Sequence, residues 1–264
     1  MSSKISEPLT GRLRQYLLLP FSIEEMGQDQ SLIEIQANLP NLLRFGSYPQ
    51  VFLAIGNDKI EELNDISINY LYKDILQFEN IKKPELVHKL LNAIALQLGS
   101  EVSLNELAQT TGTNVHTVKR YIELLEKSFI IFRLNSFSRN LRKELNKSQK
   151  IYFYDLGIRN SIIRNFNELN LRTDTGGLWE NFCICERMKH NESHRHFVNT
   201  YFWRTYDQKE IDYIEEFDGI LHCFEFKFND KAKAKKPIDF FETYPNSEFK
   251  AITPQNFYEL SKNA

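Results

Sequence analysis

Acidic and basic side chains alternate with apolar ones in two short stretches near the end of the sequence. Glu210 and Asp212 are separated by one residue, and so are Glu225 and Lys227. Because alternate residues of a strand share a face, antiparallel pairing of two such strands places Asp212 near Glu225, with Lys227 beside them. Two such carboxylates suit Mg²⁺ or Mn²⁺, and a neighbouring ammonium group can position an attacking water. Glu180, one helix earlier, adds a carboxylate for a second metal ion or a metal-bound water.

A purely structural interpretation competes with this metal site. Any half-exposed antiparallel strand alternates apolar with charged residues, because one face meets water. Glu225 and Lys227 would then belong to a solvated face and carry no chemistry. The residues alone leave both interpretations open.

The elements that would position these side chains follow from the sequence pattern. Three strands are predicted in quick succession, at residues 201–204, 210–216 and 220–228. Asp218-Gly219 is a strong signal for a two-residue hairpin between the last two strands. A helix that begins near Gly177 carries Glu180, and a further helical segment follows Pro237. This order predicts an α/β domain.

The preceding region shows helical spacing and a different type of module. Apolar residues recur with a helical period over residues 58–78 and again in a helix with Pro84 near its first turn. Ser103-Leu104-Asn105-Glu106 is a capping box, and Asn114 caps a second helix after a tight turn. Residues 129–134 have strand character and lie where a wing would begin. This order predicts a winged helix-turn-helix module.

Basic residues in and after this module predict contacts with nucleic acid. Lys119 and Arg120 lie on the outward side of the second helix, where a DNA-reading helix makes its contacts. A denser cluster opposed by Glu144 alone consists of Arg133, Arg139, Arg142, Lys143, Lys147 and Lys150. Such a cluster suits DNA phosphates, and DNA is the predicted partner. The alternatives are a winged helix that acts as a protein spacer and a solvated linker.

Seven short motifs occur in a fixed order along nearly the whole chain. They are Phe45-Gly46-Ser47-Tyr48-Pro49-Gln50-Val51, Thr117-Val118-Lys119-Arg120-Tyr121-Ile122, Lys150-Ile151-Tyr152-Phe153-Tyr154-Asp155-Leu156-Gly157, Gly177-Leu178-Trp179-Glu180-Asn181-Phe182, Tyr201-Phe202-Trp203-Arg204, Glu210-Ile211-Asp212-Tyr213 and Glu225-Phe226-Lys227. With these motifs the chain resembles the C-terminal region of bacterial and archaeal AAA-type ATPases whose last domain is related to the PD-(D/E)XK nucleases. Each motif is weak by itself, whereas seven in one order are specific.

The resemblance implies an α+β or α/β fold in which a restriction-endonuclease-like (PD-(D/E)XK) domain follows a helical linker and a winged helix-turn-helix. The nuclease signature maps onto Glu180, Asp212, Glu225 and Lys227. The implied parts are an AAA-type remnant (residues 1–28), a helical lid or linker (29–87), the winged-helix module (88–150) and the nuclease-like domain (151–264). The implied function is nucleic-acid-associated, with Mg²⁺-dependent phosphodiester cleavage. The alternative is a non-catalytic interaction or regulatory module of an ATPase.

The phosphate-binding loop of that ATPase family is missing from this sequence. None of the ten glycines lies in a GxxxxGK[ST] string, so no such loop with its lysine can cradle phosphates. Leu9-Thr10-Gly11-Arg12 resembles a segment late in the ATPase domain, and a strand-like Tyr16-Leu17-Leu18-Leu19 follows it. We therefore expect a truncated or split ATPase that binds no nucleotide and does not hydrolyse ATP alone. A separate ATPase or the missing N-terminal half is the implied protein partner.

Other candidate ligands have simpler explanations. His190, His194 and His196 are predicted to be surface residues of a polar loop, and Asp155 to be a turn residue. The three cysteines show no CxxC spacing and are predicted to be reduced thiols.

Bulk composition narrows the class of protein. A hydrophobic fraction of 42% and a charged fraction of 26% are those of a globular chain and exclude disorder. The sequence has no apolar run of membrane-spanning length and no secretory signal core, which predicts a cytoplasmic chain without a membrane partner. The net charge of −2 does not exclude nucleic acid, since binding depends on local charge.

Overall fold

The computed structural model describes residues 16–67, 83–139, 148–229 and 234–262. Its helices are α1 (Ile23–Met26), α2 (Leu32–Phe45), α3 (Pro49–Leu53), α4 (Asp58–Ile66), α5 (Pro84–Leu96), α6 (Leu104–Thr111), α7 (Val115–Lys127), α8 (Leu156–Ile162), α9 (Thr175–His194) and α10 (Ile238–Thr243). Its strands are β1 (Glu101–Val102), β2 (Ile131–Ser136), β3 (Gln149–Phe153), β4 (Asn199–Arg204), β5 (Glu210–Phe217), β6 (Ile220–Phe226) and β7 (Ser247–Ile252). Short 3-10 turns lie at Leu169–Leu171 and Phe257–Ser261. The described chain is therefore mixed α+β, with a helical N-terminal part.

The seven strands form one mixed sheet in the order β1-β3-β2-β4-β5-β6-β7. Four neighbouring pairs are antiparallel, whereas β2 with β4 and β6 with β7 are parallel. Asn135 of β2 lies opposite Tyr201 of β4. The strands of the predicted wing and those of the predicted meander therefore belong to the same sheet.

Helices cover both faces of the sheet near its C-terminal strands. On one face, the fully buried Trp179 of α9 stacks on Phe182 and contacts the ring of Phe228. On the other face, Phe240 of α10 packs edge-to-face against Trp203. Because both faces are covered, β5 and β6 are buried over most of their length. Charged side chains on these strands are therefore largely withdrawn from water, unlike those of a solvated strand face.

A close packing point joins the N-terminal helices to the sheet. Gly46 ends α2 with a φ of 72°, a conformation that favours glycine, and a Cβ there would lie 2.1 Å from Asp155 Oδ1. Asp155 accepts hydrogen bonds from the backbone N–H groups of Ser47 at 2.8 Å and Ile158 at 3.1 Å. The second bond caps α8. The Phe45-Gly46-Ser47 segment is thus held against the start of α8, and Asp155 is a buried helix N-cap where the sequence predicts a turn residue.

Most predicted elements around the site are confirmed, although the strand character at residues 16–19 is wrong. Within the described ranges these residues pair with no strand, and Leu18 is 94% exposed. The pattern also fails to predict α2 as a distinct helix and β7, whose parallel pairing with β6 is a long-range contact. Residues 1–15, and the part of the predicted helix at 58–78 that follows residue 67, lie outside the described residues.

No helix in the described ranges has both the length and the apolar character needed to cross a bilayer.

Candidate functional site

The hairpin of β5 and β6 brings Asp212 and Glu225 to adjacent strand positions. Tyr213 lies opposite Phe224, so one further step in the same antiparallel register places Asp212 opposite Glu225. Asp212 Oδ2 also accepts a hydrogen bond of 2.7 Å from the backbone N–H of Phe226. Asp218 and Gly219 both have positive φ, as a tight hairpin requires. The turn therefore fixes the register that pairs the two carboxylates.

Lys227 lies directly against Glu225. Its Nζ atom is 2.6 Å from Glu225 Oε1, and the lysine side chain is 32% exposed whereas that of Glu225 is 9% exposed. The second oxygen, Oε2, is buried and has no hydrogen-bond partner among the residues that the structure describes. A buried carboxylate oxygen without a partner is unfavourable, since it has lost its water. Glu225 Oε2 is therefore an acceptor that a cation can use as a ligand atom.

Glu180 of α9 is held from the other side by β3. Lys150 Nζ donates to Glu180 Oε1 at 2.8 Å and to Glu210 Oε1 at 2.6 Å, and the lysine side chain is only 1% exposed. Tyr152 donates its hydroxyl to the same Glu180 oxygen at 2.5 Å. Lys150 is consequently unavailable for a nucleic-acid phosphate. The sequence signal for its actual role is a lysine directly before the strand-like run Ile151-Tyr152-Phe153.

Negative charge exceeds positive charge in this cluster. Four carboxylates, those of Glu180, Glu210, Asp212 and Glu225, face the two ammonium groups of Lys150 and Lys227, which leaves a surplus of two negative charges when all are ionised. Arg204 lies at the rim between Glu210 and Glu101 and does not change this balance. We define these six residues, Lys150, Glu180, Glu210, Asp212, Glu225 and Lys227, as the carboxylate cluster.

The surplus charge appears in the acid–base behaviour of the cluster. Burial and the neighbouring Glu180 and Glu225 carboxylates raise the pKa of Asp212 well above its usual value. Burial also raises the pKa of Glu225, against the lowering effect of Lys227. Burial alone would lower the pKa of Lys150, but Glu180, Glu210 and Asp212 raise it instead. The cluster therefore favours uptake of positive charge, either as protons or as a cation.

A cleft of about 620 Å³ opens onto this cluster. Glu210, Glu225 and Lys227 of the cluster line it. Its lining also includes Lys209, which pairs with Asp239, together with Lys235 and Lys236. A cleft lined by both acidic groups and lysines can accept an anionic ligand next to a cation.

The carboxylates do not form a ready three-ligand metal group. Within the described ranges, the set of three or more His, Cys, Asp or Glu ligand atoms that lie within 4.8 Å of one another is Glu24, His190 and His194. Mg²⁺ keeps several waters and needs only one or two protein carboxylates. Asp212 and Glu225 can therefore meet its requirement as a pair, with the unpartnered Glu225 oxygen as one ligand.

The predicted DNA contacts have different environments. Lys119 and Arg120 are exposed on α7, whereas Arg139 donates to Glu216 Oε1 at 3.0 Å and is half exposed. Arg133, also in the predicted basic cluster, forms a two-pronged pair with Glu126. Three further residues predicted to contact DNA lie outside the described residues: Arg142, Lys143 and Lys147.

The prediction of a loop is wrong at His190 and His194, and the prediction of surface exposure is wrong at His190 but confirmed at His194. Helix α9 continues to His194, and His190 is 3% exposed. The polar residues Asn191 and Ser193 suggest a loop, but burial of the helix face that carries His190 and Asn191 overrides their weak helix propensity. Cys183, Cys185 and Cys223 are buried free thiols, as the sequence predicts.

Comparisons with known proteins divide the chain into two matched regions. Residues 36–169 match the family described as Domain of unknown function (DUF8612). Residues 175–257 match Domain of unknown function (DUF4143), a domain found in AAA-ATPase-associated proteins. The second region contains every member of the carboxylate cluster except Lys150.

Curated relatives resemble the chain over part of their length. An uncharacterized protein of Mycobacterium tuberculosis is 24% identical over 225 residues, which cover 84% of this chain and 48% of that protein. An uncharacterized protein of Haemophilus influenzae is 22% identical over 173 residues, which cover 62% of this chain and 43% of that protein. One from Methanocaldococcus jannaschii is 27% identical over 133 residues, which cover 48% of this chain and 27% of that protein. The chain thus spans less than half the length of these relatives. No solved structure matches it significantly.

Proposed function

The chain belongs to the family described as Domain of unknown function (DUF8612), and from this premise we propose that it is the nucleic-acid-associated, nuclease-like C-terminal part of an AAA-type ATPase, with an Mg²⁺-dependent site for phosphodiester cleavage. The observation that carries the proposal is the carboxylate cluster, in which four acids face two lysines in a largely buried setting. Its surplus of two negative charges equals the charge of one divalent cation.

The order of elements supports a restriction-endonuclease-like fold for the second half. A long helix carries Glu180, a hairpin follows with Asp212 and Glu225, and Lys227 comes two residues after Glu225. Helices lie on both sides of the sheet. This arrangement is the one expected for a PD-(D/E)XK core, in which an acid, a second acid and a lysine meet at a hairpin.

The helices before the sheet support a winged helix-turn-helix. Helix α6 ends at Gly112 in a left-handed conformation, and Asn114 caps α7 by accepting from the Thr117 backbone N–H at 2.8 Å. Strands β2 and β3 pair antiparallel after α7, as the strands of a wing would. His116, Lys119 and Arg120 are exposed on α7 and available to a ligand.

Each residue of the cluster has a distinct task under this proposal. Asp212 and Glu225 would hold Mg²⁺ or Mn²⁺, which when bound stabilises charge on a phosphate and makes a water more acidic. Lys150 and Tyr152 fix the Glu180 side chain, which would orient a water molecule. Lys227, at the cleft, would donate a hydrogen bond to the attacking water and stabilise negative charge on the substrate. Lys209, Lys235 and Lys236 of the cleft would bind the flanking phosphates.

A second candidate function is a non-catalytic interaction or regulatory module that docks on an ATPase. The observation that favours it is internal neutralisation, because Lys150 and Lys227 already pair with three of the four acids. Under this alternative the cluster holds the sheet together and binds no metal. The two candidates therefore differ in their response to divalent cations.

We expect Mg²⁺ or Mn²⁺ to raise the melting temperature of the protein, because the cation binds the folded cluster. A concentration of about ten times Kd stabilises the fold by about 1.4 kcal/mol, which corresponds to a rise of about 3–6 °C. Asp212→Asn keeps the hydrogen-bond acceptor for the Phe226 N–H but removes the charge, so this rise should vanish. The measurement is thermal unfolding monitored by circular dichroism, with and without the cation.

Asp239→Asn is the matched control, because Asp239 is an exposed acid at the rim of the same cleft and pairs with Lys209. This variant should keep the full response to metal. Cleavage of a labelled duplex or single strand with Mn²⁺, lost in Asp212→Asn, would support the catalytic candidate. An equal melting temperature with and without metal in the unmodified protein would support the docking candidate.

We also expect salt-sensitive binding to duplex DNA that depends on Arg139, Arg142, Lys143 and Lys147. Basic side chains on phosphates release counterions, so affinity should fall steeply as salt rises. Changing all four residues to Ala should weaken binding at least tenfold, measured by fluorescence anisotropy at two salt concentrations.

A Lys119→Ala and Arg120→Ala double variant should have a smaller effect, because Glu123 on the same exposed side of α7 reduces its positive charge. Unchanged affinity in the four-residue variant, or no DNA binding at low salt, would contradict this assignment.

A further inference from the structure

A second group of metal-binding side chains lies at the C-terminal end of α9. His190 Nδ1 is 2.9 Å from Glu24 Oε1, and His194 Nδ1 is 3.7 Å from Glu24 Oε2. The rings of His190 and His194 are 4.3 Å apart between centroids, as expected for residues four apart on one helix. One ligand atom from each of these three residues lies within 4.8 Å of the other two.

We infer that Glu24, His190 and His194 are protein ligands of a divalent transition-metal site of the Zn²⁺ class, which fastens α1 to α9. Two imidazoles with one carboxylate match the ligands that Zn²⁺ uses, whereas Mg²⁺ prefers oxygen ligands and waters. His196 is the neighbouring imidazole, with its ring centroid 5.6 Å and 5.7 Å from those of His190 and His194, and a water molecule would complete the coordination.

The three ligands are already oriented for this task. Glu24 belongs to α1, which is fixed to α9 because Ile23 N–H donates to Glu186 Oε2 at 2.8 Å and Lys189 Nζ donates to Phe21 O at 2.8 Å. Donation from His194 Nδ1 to the His190 carbonyl, 3.0 Å away, leaves the His194 Nε2 lone pair for a metal.

Local electrostatics also favour a cation at this position. His194 is the last residue of a helix of 20 residues, so the partial negative charge at the helix C-terminus lies close by. Glu24 is partly exposed and His194 is 45% exposed, so an ion can reach the group from solvent.

The site is separate from the carboxylate cluster. Glu180 and His194 are fourteen positions apart on α9, which corresponds to about 20 Å along the helix axis. The two sites differ in ligand chemistry as well as position, so a variant at one site separates its metal response from that of the other.

The test is titration of the chelator-treated full chain with ZnCl₂ by calorimetry at pH 7.5. With excess MgCl₂ present to occupy the carboxylate cluster, we expect one Zn²⁺ per chain with a micromolar or tighter Kd. His194→Ala changes an exposed side chain and Glu24→Gln keeps the size and polarity of the original, so both variants should fold, and each should weaken binding at least tenfold. His116→Ala, at an exposed histidine of α7, and Asp212→Asn should leave Zn²⁺ affinity unchanged.

Spectroscopy with Co²⁺ gives an independent readout of the same site. Strong visible absorption of four-coordinate Co²⁺ should appear in the unmodified chain and be lost in His194→Ala. Zn²⁺ should also slow hydrogen exchange at the α1 backbone. Unmodified Zn²⁺ affinity in both ligand variants, or no Zn²⁺ binding by the unmodified chain at 100 µM, a concentration roughly a hundred times a micromolar Kd, would overturn the inference without affecting the proposal for Asp212 and Glu225.

Discussion

Replacing Lys150 by Met is expected to lower the free energy of unfolding by about 3–5 kcal/mol, because the change leaves two acids without their buried cation. The lysine is 1% exposed and donates to both Glu180 and Glu210. Methionine has similar length and no charge, so packing changes little. Chemical denaturation at pH 8, with the slope of the transition checked for two-state behaviour, measures the loss.

The loss should be smaller at pH 5.5. The folded-state pKa of Asp212 lies above its unfolded value, so its ionisation removes stability as pH rises through the interval between the two. Lys150 opposes that upward shift in the unmodified protein. Without the lysine, Asp212 takes up a proton at low pH and part of the repulsion disappears.

Lys227→Met is the matched control for Lys150→Met. Lys227 also pairs with a cluster acid, but its side chain is 32% exposed, so the cost should be about 1 kcal/mol or less. A double variant, Lys150→Met with Glu180→Gln, should recover part of the stability, since it removes one of the unpaired charges. If both lysine variants lose the same free energy of unfolding, burial of Lys150 does not add to the stability of its ion pairs.

Replacing Arg187 by Met is expected to have a similarly large effect, about 3–5 kcal/mol, for a reason unrelated to the carboxylate cluster. Arg187 Nη2 and Nε bind the two Glu215 oxygens at 2.6 Å and 3.1 Å. Its Nη1 donates to the carbonyls of Leu260 and Lys262. The variant would leave Glu215 buried without a cation and release the last turn, measurable by denaturation and by hydrogen exchange over Phe257–Ser261.

Arg139→Met provides the control for this second prediction, because Arg139 pairs with Glu216 at the surface and is 56% exposed. Arg139→Met should change the free energy of unfolding by no more than about 1 kcal/mol. Arg187→Met combined with Glu215→Leu should be more stable than Arg187→Met alone, since an apolar pair avoids the unpaired charge. A further loss in the double variant would contradict the assigned role of the ion pair.

The sequence alone was sufficient to predict the local structure near the site. Alternation predicts that Asp212 and Glu225 lie on strands, and Asp218-Gly219 predicts the hairpin, because turn geometry and strand period are local properties of the chain. The start of α9 and the caps at Ser103 and Asn114 follow from the same kind of local signal. These features fix which side chains can approach each other across one hairpin.

Only the tertiary structure decided which charges neutralise one another. Lys150 is sixty residues from Glu210, and Glu24 is 166 residues from His190, so no local pattern could reveal either contact. Lys150 belongs by sequence to a basic cluster, yet the sheet buries it against two acids. His190 lies by sequence in a polar stretch, yet α9 carries it into contact with α1. Burial and long-range pairing set the electrostatic environment of a side chain, and both depend on how the whole chain packs.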